Sequence, residues 1–210
     1  MREPPCGGFP WGTRQNWTLT ELFFEQGTSA NGVTAKEKIK ELFWSVINDT
    51  LFRFTLRPMN VWRAFLLRLF GAEIARGVYI HQTVKILRPW NLIMGTKASL
   101  DYGCAVRNDA KVFIGDNVSV GAYTTFMPGG HDVRSRGFEF IGKETHIAHG
   151  VFIGGQCLIR DVNIGQFSVI GAGSFVTKDI PENVIAFGWP AKVRSERIPN
   201  KEYKKYRYDR

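Results

Sequence analysis

The chain carries four histidines, His81, His131, His146 and His149, and an imidazole titrating near neutrality is the side chain best suited to moving a proton at physiological pH. His131 alone lies in a long interruption of the chain's regular pattern, within Gly129-Gly130-His131-Asp132. The glycine pair lets the backbone take positive φ and present the ring that follows. Without further context this describes a solvated loop histidine. Carboxylates stand close by, Asp132 next to the ring and Glu139, after Phe138, eight residues on. Asn108 lies in VRNDAKV, where a turn-capping amide would also sit. The cysteines, Cys6, Cys104 and Cys157, are odd in number and have no paired spacing, which argues against a disulfide framework and a zinc cluster and fits a reducing cytoplasm. Neither a Walker-type loop nor GxGxxG is present.

These groups must be positioned by a repeat. Aliphatic residues recur every six positions at Ile80, Ile86 and Leu92, then Leu100 and Val106. They return at Ile114, Val120 and Phe126, at Ile141, Ile147, Ile153 and Ile159, and at Ile164, Ile170 and Val176. A small or branched residue follows four places later at Val84, Cys104, Ala110, Val118, Thr124, Val151, Cys157, Ser168 and Ser174. Neither the two-residue period of a strand nor the 3.6 of a helix fits. Three hexads make one coil of about 18 residues, in which each short strand stacks on its equivalent in the next coil and the aliphatics fill an axial core. The spacing therefore predicts an all-β parallel β-helix over 77–180. Cys157, in the small inward slot after Ile153, reads as a buried, inert thiol and not an acyl-carrying nucleophile.

Breaks in phase predict where loops leave the coil. Leu92 to Leu100 and Val106 to Ile114 each span two extra residues, and Ile159 to Ile164 is one short. The long excursion is MPGGHDVRSRGFEF, residues 127–140. Residues 1–35 read as an extended lead and 36–76 as a helical segment. In it Ile39, Leu42, Phe43, Val46, Ile47 and Leu51 form one apolar stripe, and a second helix follows Pro58. A closing strand and a basic tail are expected over 181–210. Bracketed by Lys36, Lys38, Lys40, Arg53, Arg57, Arg63 and Arg68, the stripe has two readings: it packs on the β-helix end or a neighbouring subunit, or it lies on an anionic membrane face.

At 210 residues with 44% hydrophobic content, the chain can bury one core with appendages. Its net charge of +9 is carried by the flanks: residues 77–191 hold ten basic and nine acidic side chains. A nucleic-acid reader would show its basic stripe on the folded core, so no nucleic-acid partner is expected. The opening MREPPCGGFPWGT lacks an apolar h-region and no apolar run approaches the ~20 residues of a membrane span, so a cytoplasmic protein is expected, at the inner membrane face if the stripe binds lipid.

Taken together, RPMNVWRAFLLRLFGAEI, KILRPWNLIMG, the His131-Asp132 loop and IGAGSFVTKDIPENVIAFGWPAKV resemble the hexapeptide-repeat acyltransferases, most closely the colanic acid biosynthesis acetyltransferases, over about 36–197. The resemblance implies a left-handed helix, an exception to the usual crossover hand, and acetyl transfer from acetyl-CoA to a sugar or glycan hydroxyl, with an amino-sugar nitrogen as the alternative acceptor. It implies a homotrimer and no required metal. It makes His131 the general base and places Glu139 where maltose and galactoside acetyltransferases hold theirs with a carboxylate; Asp132 is the other candidate orienter. Asn108 and Phe152 would face the acceptor. The pantetheine arm would run in an intersubunit groove beside Gly154, Gly171, Ala172 and Gly173, with Thr177, Lys178 and Lys192 at the adenosine phosphates. Trp189 replaces the family's Asn in GNPAK. A lipid-linked saccharide would suit the membrane reading of the stripe. Two rivals share the repeat: a γ-class carbonic anhydrase, whose H-x4-H ligand pair is H-x2-H here at His146 and His149, and a β-helix scaffold without catalysis.

Overall fold

The computed structural model describes residues 34–134 and 140–197; the lead to residue 33, Glu139 and the tail from 198 lie outside the described residues. Strands of two or three residues stack in parallel to form the three faces of a left-handed β-helix of about five coils. Each face contributes one inward column. On the first, Ile74, Met94, Ile114, Ile147 and Ile164 lie in register. On the second, Ile80, Leu100, Val120, Ile153, Ile170 and Ala186 follow one another. Ile86, Val106, Phe126, Ile159 and Val176 make the third. All are buried, so each strand sets one apolar residue into a column repeated from coil to coil.

Corners explain the rest of the hexad. Where the chain turns into the second and third faces, a residue takes left-handed φ just before the buried small one, as at Asn117 (φ 54) before Val118 and Gly173 (φ 70) before Ser174. The glycine after the aliphatic answers to the neighbouring coil. A Cβ on Gly154 would stand 2.5 Å from the Ala172 backbone nitrogen, closer than packing allows.

Three expectations from the spacing change. The first two-residue insertion moves: the column residue is Met94, six before Leu100, so the extra residues lie between Ile86 and Met94 around the 3-10 turn Pro89–Asn91, while those between Val106 and Ile114 stand where the spacing put them. Ile141 keeps the six-residue count yet is exposed, paired antiparallel with Gly130 in the excursion; Phe126 has already filled the third column and the coil resumes at Thr145–Ile147. Ala110 is half-buried, since Asn108 occupies that corner instead.

Two helices close the first coil. Helix α1 (Ala35–Ile47) starts from a capping box between Thr34 and Glu37 and runs into a π turn at Asn48–Phe52; α2 spans Asn60–Leu69. The apolar stripe does not pack on the β-helix end: Ile39, Leu42, Phe43, Val46 and Leu51 are exposed and only Ile47 meets the core. The inward face is Trp44, Asn48 and Phe52. An uncovered solenoid edge presents carbonyls that need donors, and Trp44 supplies both an apolar ring and an indole N–H, donated to the Ile86 carbonyl at 2.7 Å. Arg63, fully buried on α2, completes the seal. Its guanidinium donates to the carbonyls of Ile80 (2.8 Å), Leu56 (2.9 Å) and Arg57 (3.0 Å) and to Thr55 Oγ1 (2.8 Å). At the other end the chain forms a hairpin, Val184–Gly188 with Ala191–Glu196, in place of a single closing strand.

Candidate active site

The excursion leaves the third face after Phe126 and returns as a short antiparallel pair, with Gly130 opposite Ile141 and His131 opposite Phe140. Gly129 takes φ +134, and a Cβ there would meet the Phe140 ring. This local geometry places the exposed His131 imidazole edge-on to Phe140, ring centroids 6.1 Å apart. It lines a recess of about 140 Å³ shared with Arg107, Asp109, Met127, Gly129, Gly130 and Phe140.

Stacked coils build the recess wall. Arg107 follows the strand Ala105–Val106, and its N–H donates to the Phe126 carbonyl at 2.9 Å, the carbonyl just before Met127. Asp109 is fixed from the coil before by Arg88, whose Nη1 lies 3.1 Å from its Oδ1, while Arg88 Nε bonds Glu41 of α1. The recess thus joins an imidazole, a guanidinium and an anchored carboxylate, groups able to accept a proton from a polyhydroxy ligand and hold its other hydroxyls. Arg107, Asp109 and Phe140 were not legible as site residues; the available signal was the coil register, which sets residues one coil apart side by side.

The expected site residues divide. Asp132 bends back on the loop, its Oδ1 accepting the Arg134 N–H at 2.9 Å. Asn108 does not face an acceptor: it is fully buried, its Oδ1 accepting the Arg88 N–H at 2.9 Å and its Nδ2 donating to the Arg88 carbonyl at 2.5 Å. The turn-capping reading is the one its geometry matches. Phe152 is exposed on the second face, between Ser119 and Val169.

The coenzyme set needs a similar correction. The Gly154, Gly171 and Gly173 N–H groups donate within the solenoid, to Ile170 (2.8 Å), Ala186 (2.9 Å) and Gly155 (2.9 Å). Their amides are therefore committed to the ladder, and of the four only exposed Ala172 keeps its N–H outside it. Thr177 and Lys178 are exposed beyond the strand Phe175–Val176, and Lys192 is exposed on the hairpin opposite Phe187. Trp189, at the hairpin tip, packs on Phe175 with centroids 4.8 Å apart.

Other nucleophiles and nitrogens are spoken for. Cys157 is buried and burial pushes its thiol above the ordinary value, so little thiolate exists at neutral pH. Among the described residues no three His, Cys, Asp or Glu side chains gather as a metal site would require. His146 stacks on Phe113 at 4.2 Å and His149 meets Phe167 edge-on at 5.1 Å.

The coils are those of the left-handed β-helix shared by hexapeptide-repeat acetyltransferases. No family model matches the chain. It is 34% identical over 179 residues to the Escherichia coli K12 protein described as the colanic acid biosynthesis acetyltransferase WcaF, covering 80% of this chain and 92% of that one. A maltose O-acetyltransferase from Clostridium difficile superposes with a TM-score of 0.72 at 28% identity, over 81% of this chain and 92% of that one. A galactoside acetyltransferase in complex with coenzyme A gives 0.67 at 27%, over 85% and 90%. The chain belongs to the hexapeptide-repeat acetyltransferase family.

Proposed function

We propose that the protein transfers an acetyl group from acetyl-CoA to a sugar hydroxyl during polysaccharide or glycan synthesis, with His131 as general base. The observation that carries this reading is the exposed imidazole at the mouth of a recess shared with Asp109 and Arg107, in a chain related over most of its length to sugar acetyltransferases. A hydroxyl is a weak nucleophile at neutral pH. The His131 imidazole takes its proton as the oxygen bonds the acetyl carbon, the carbon–sulfur bond breaks, and the proton passes to the departing thiolate. Glu139 is the preferred orienter of the ring by its likeness in position to the carboxylate of maltose and galactoside acetyltransferases, with Asp132, whose Oδ1 accepts the Arg134 N–H, as the other candidate. The Ala172 amide, Thr177, Lys178 and Lys192 are the groups left to meet the coenzyme, cations suiting its phosphates. Three chains about one axis would close the coenzyme groove, as in the family.

The test is an acceptor screen with acetyl-CoA, read by thiol release. His131→Ala is expected to lower turnover about 10²–10⁴-fold at unchanged thermal stability; retention of more than about a tenth of the activity removes His131 as base. Replacing Lys178 and Lys192 together with Ala is expected to raise the KM for acetyl-CoA roughly several-fold, more at low ionic strength, with kcat nearly constant. A KM that does not move rejects that placement.

A further inference from the structure

The outward face of the N-terminal helices is unlike any other surface of the molecule. Of the twenty-two large apolar side chains exposed among the described residues, twelve lie between Ile39 and Leu69, so this one segment holds more than half of them. The solenoid cannot reach them: α1 and α2 are held against its first coil by Trp44, Phe52 and Arg63, which point the opposite way. Leu42, Phe43, Val46, Phe54, Trp62 and Phe65 are representative, and Trp62 and Phe65 stack with centroids 5.6 Å apart. Around them Lys36, Arg53 and Arg57 are exposed, while Lys40, over the Trp90 ring, and Arg68, which donates to the Ile74 and Ala75 carbonyls, turn toward the first coil. The exposed acids of the two helices and their connection are only Glu37, held in the Thr34 capping box, and Asp49.

We propose that this face is a peripheral docking surface for an anionic lipid bilayer. The argument is charge complementarity joined to amphipathicity. Aromatic and aliphatic side chains on one face of a short helical pair, rimmed by Lys and Arg, match the acyl–headgroup boundary and the negative lipid heads above it. A second copy of the chain fits less well. Two such faces brought together would oppose cation to cation, and the solenoid, near neutral overall, offers no compensating acidic field. The helices do not cross the bilayer: among the described residues none is long and apolar enough to span it. Docked this way, the first coil and the Glu41–Arg88–Asp109 link to the His131 recess would stand next to the membrane surface. The proposal holds or fails independently of the acetyl-transfer reading.

Co-sedimentation of the full chain with phosphatidylcholine vesicles, with and without phosphatidylglycerol, tests it. Expected are binding to the anionic vesicles only, weakening with salt, and a loss of at least about fivefold in partitioning for each of Arg53→Glu and Lys36→Glu. The double variant Leu42→Ser/Phe43→Ser should lose binding while keeping the wild-type circular dichroism and thermal midpoint. No vesicle binding by the wild-type chain overturns the proposal. So does equal binding to neutral vesicles, or binding that the helix variants leave unchanged. Self-association that the same variants abolish, without vesicle binding, gives the face to a second copy and also overturns it. The charge swaps touch only exposed side chains and keep the test decisive should the double serine variant not fold.

Discussion

The solenoid and its helical cap are both periodic in sequence, yet only one of them shows its inward face there. In the coils the six-residue aliphatic is buried nearly wherever it occurs, because each strand must stack on its equivalent one coil away and the column has a single axis to point toward. In α1 the most regular apolar stripe faces out, and the buried face is built on Trp44, Asn48 and Phe52. Helical periodicity states that an apolar face exists and leaves open what it will meet. Donor groups decided the matter here, since the edge of the first coil needed hydrogen bonds from Trp44, Arg63 and Asn60 that Leu42 and Phe43 cannot make.

Breaking the cap at its polar bolt should have the largest effect. Arg63→Met keeps apolar bulk but removes the guanidinium's hydrogen bonds to the Ile80, Leu56 and Arg57 carbonyls and Thr55 Oγ1, of which Leu56 keeps the Met59 N–H, and a loss of about 3–5 kcal/mol is expected in chemical denaturation. A change below about 1 kcal/mol would mean that water or nearby groups replace it and that the cap is held by apolar packing alone.

A smaller effect is expected within the coils. Asn108→Ala leaves the Arg88 N–H unpaired and its carbonyl with the Asn91 N–H as its remaining donor, and should cost about 1–3 kcal/mol. If Asn108 only clamps the corner, kcat and the acceptor KM of the folded variant stay near wild type. A KM that rises at unchanged stability would restore the acceptor-facing role the resemblance implied.

The smallest expected effect is on pH dependence at the seam between the regions. His81, next to the Ile80 that Arg63 bonds, is nearly buried, and its Nδ1 accepts the Thr83 N–H at 3.2 Å. Burial, with Arg57 nearby, holds its imidazole below the ordinary range. The unfolded chain therefore binds a proton first as pH falls, so His81 contributes stability that is present above about pH 6.5 and lost as pH drops toward the lowered folded-state value. Thermal melts of wild type and His81→Gln at descending pH should converge. Parallel curves would assign the acid sensitivity to other groups.

How far the site could be read before folding follows from the same contrast. His131 stood out because it lies in the one long interruption of the repeat, where the other phase breaks add two residues or drop one. Asn108 misled because a polar residue beside a phase break looks alike whether it reaches a ligand or turns inward to the backbone of Arg88. At Gly154 and Gly171 the small size serves the close approach of a neighbouring segment, and the N–H groups of Gly154, Gly171 and Gly173 are used within the solenoid, which the spacing did not reveal.

By itself the sequence determined the β-helix, its three inward columns, the position of the excursion and the histidine it carries. These are consequences of a short-range period that repeats a local choice at every coil. Only the tertiary structure decided that Ile141 leaves the core, that the apolar stripe faces away from the coils, and that Arg107 and Asp109 join His131 at one recess. Ile141 pairs with Gly130 within the excursion, whereas the last two depend on contacts between residues a coil or more apart. There the need to satisfy buried donors and acceptors outweighs local hydrophobicity, and no window of neighbouring residues contains both partners.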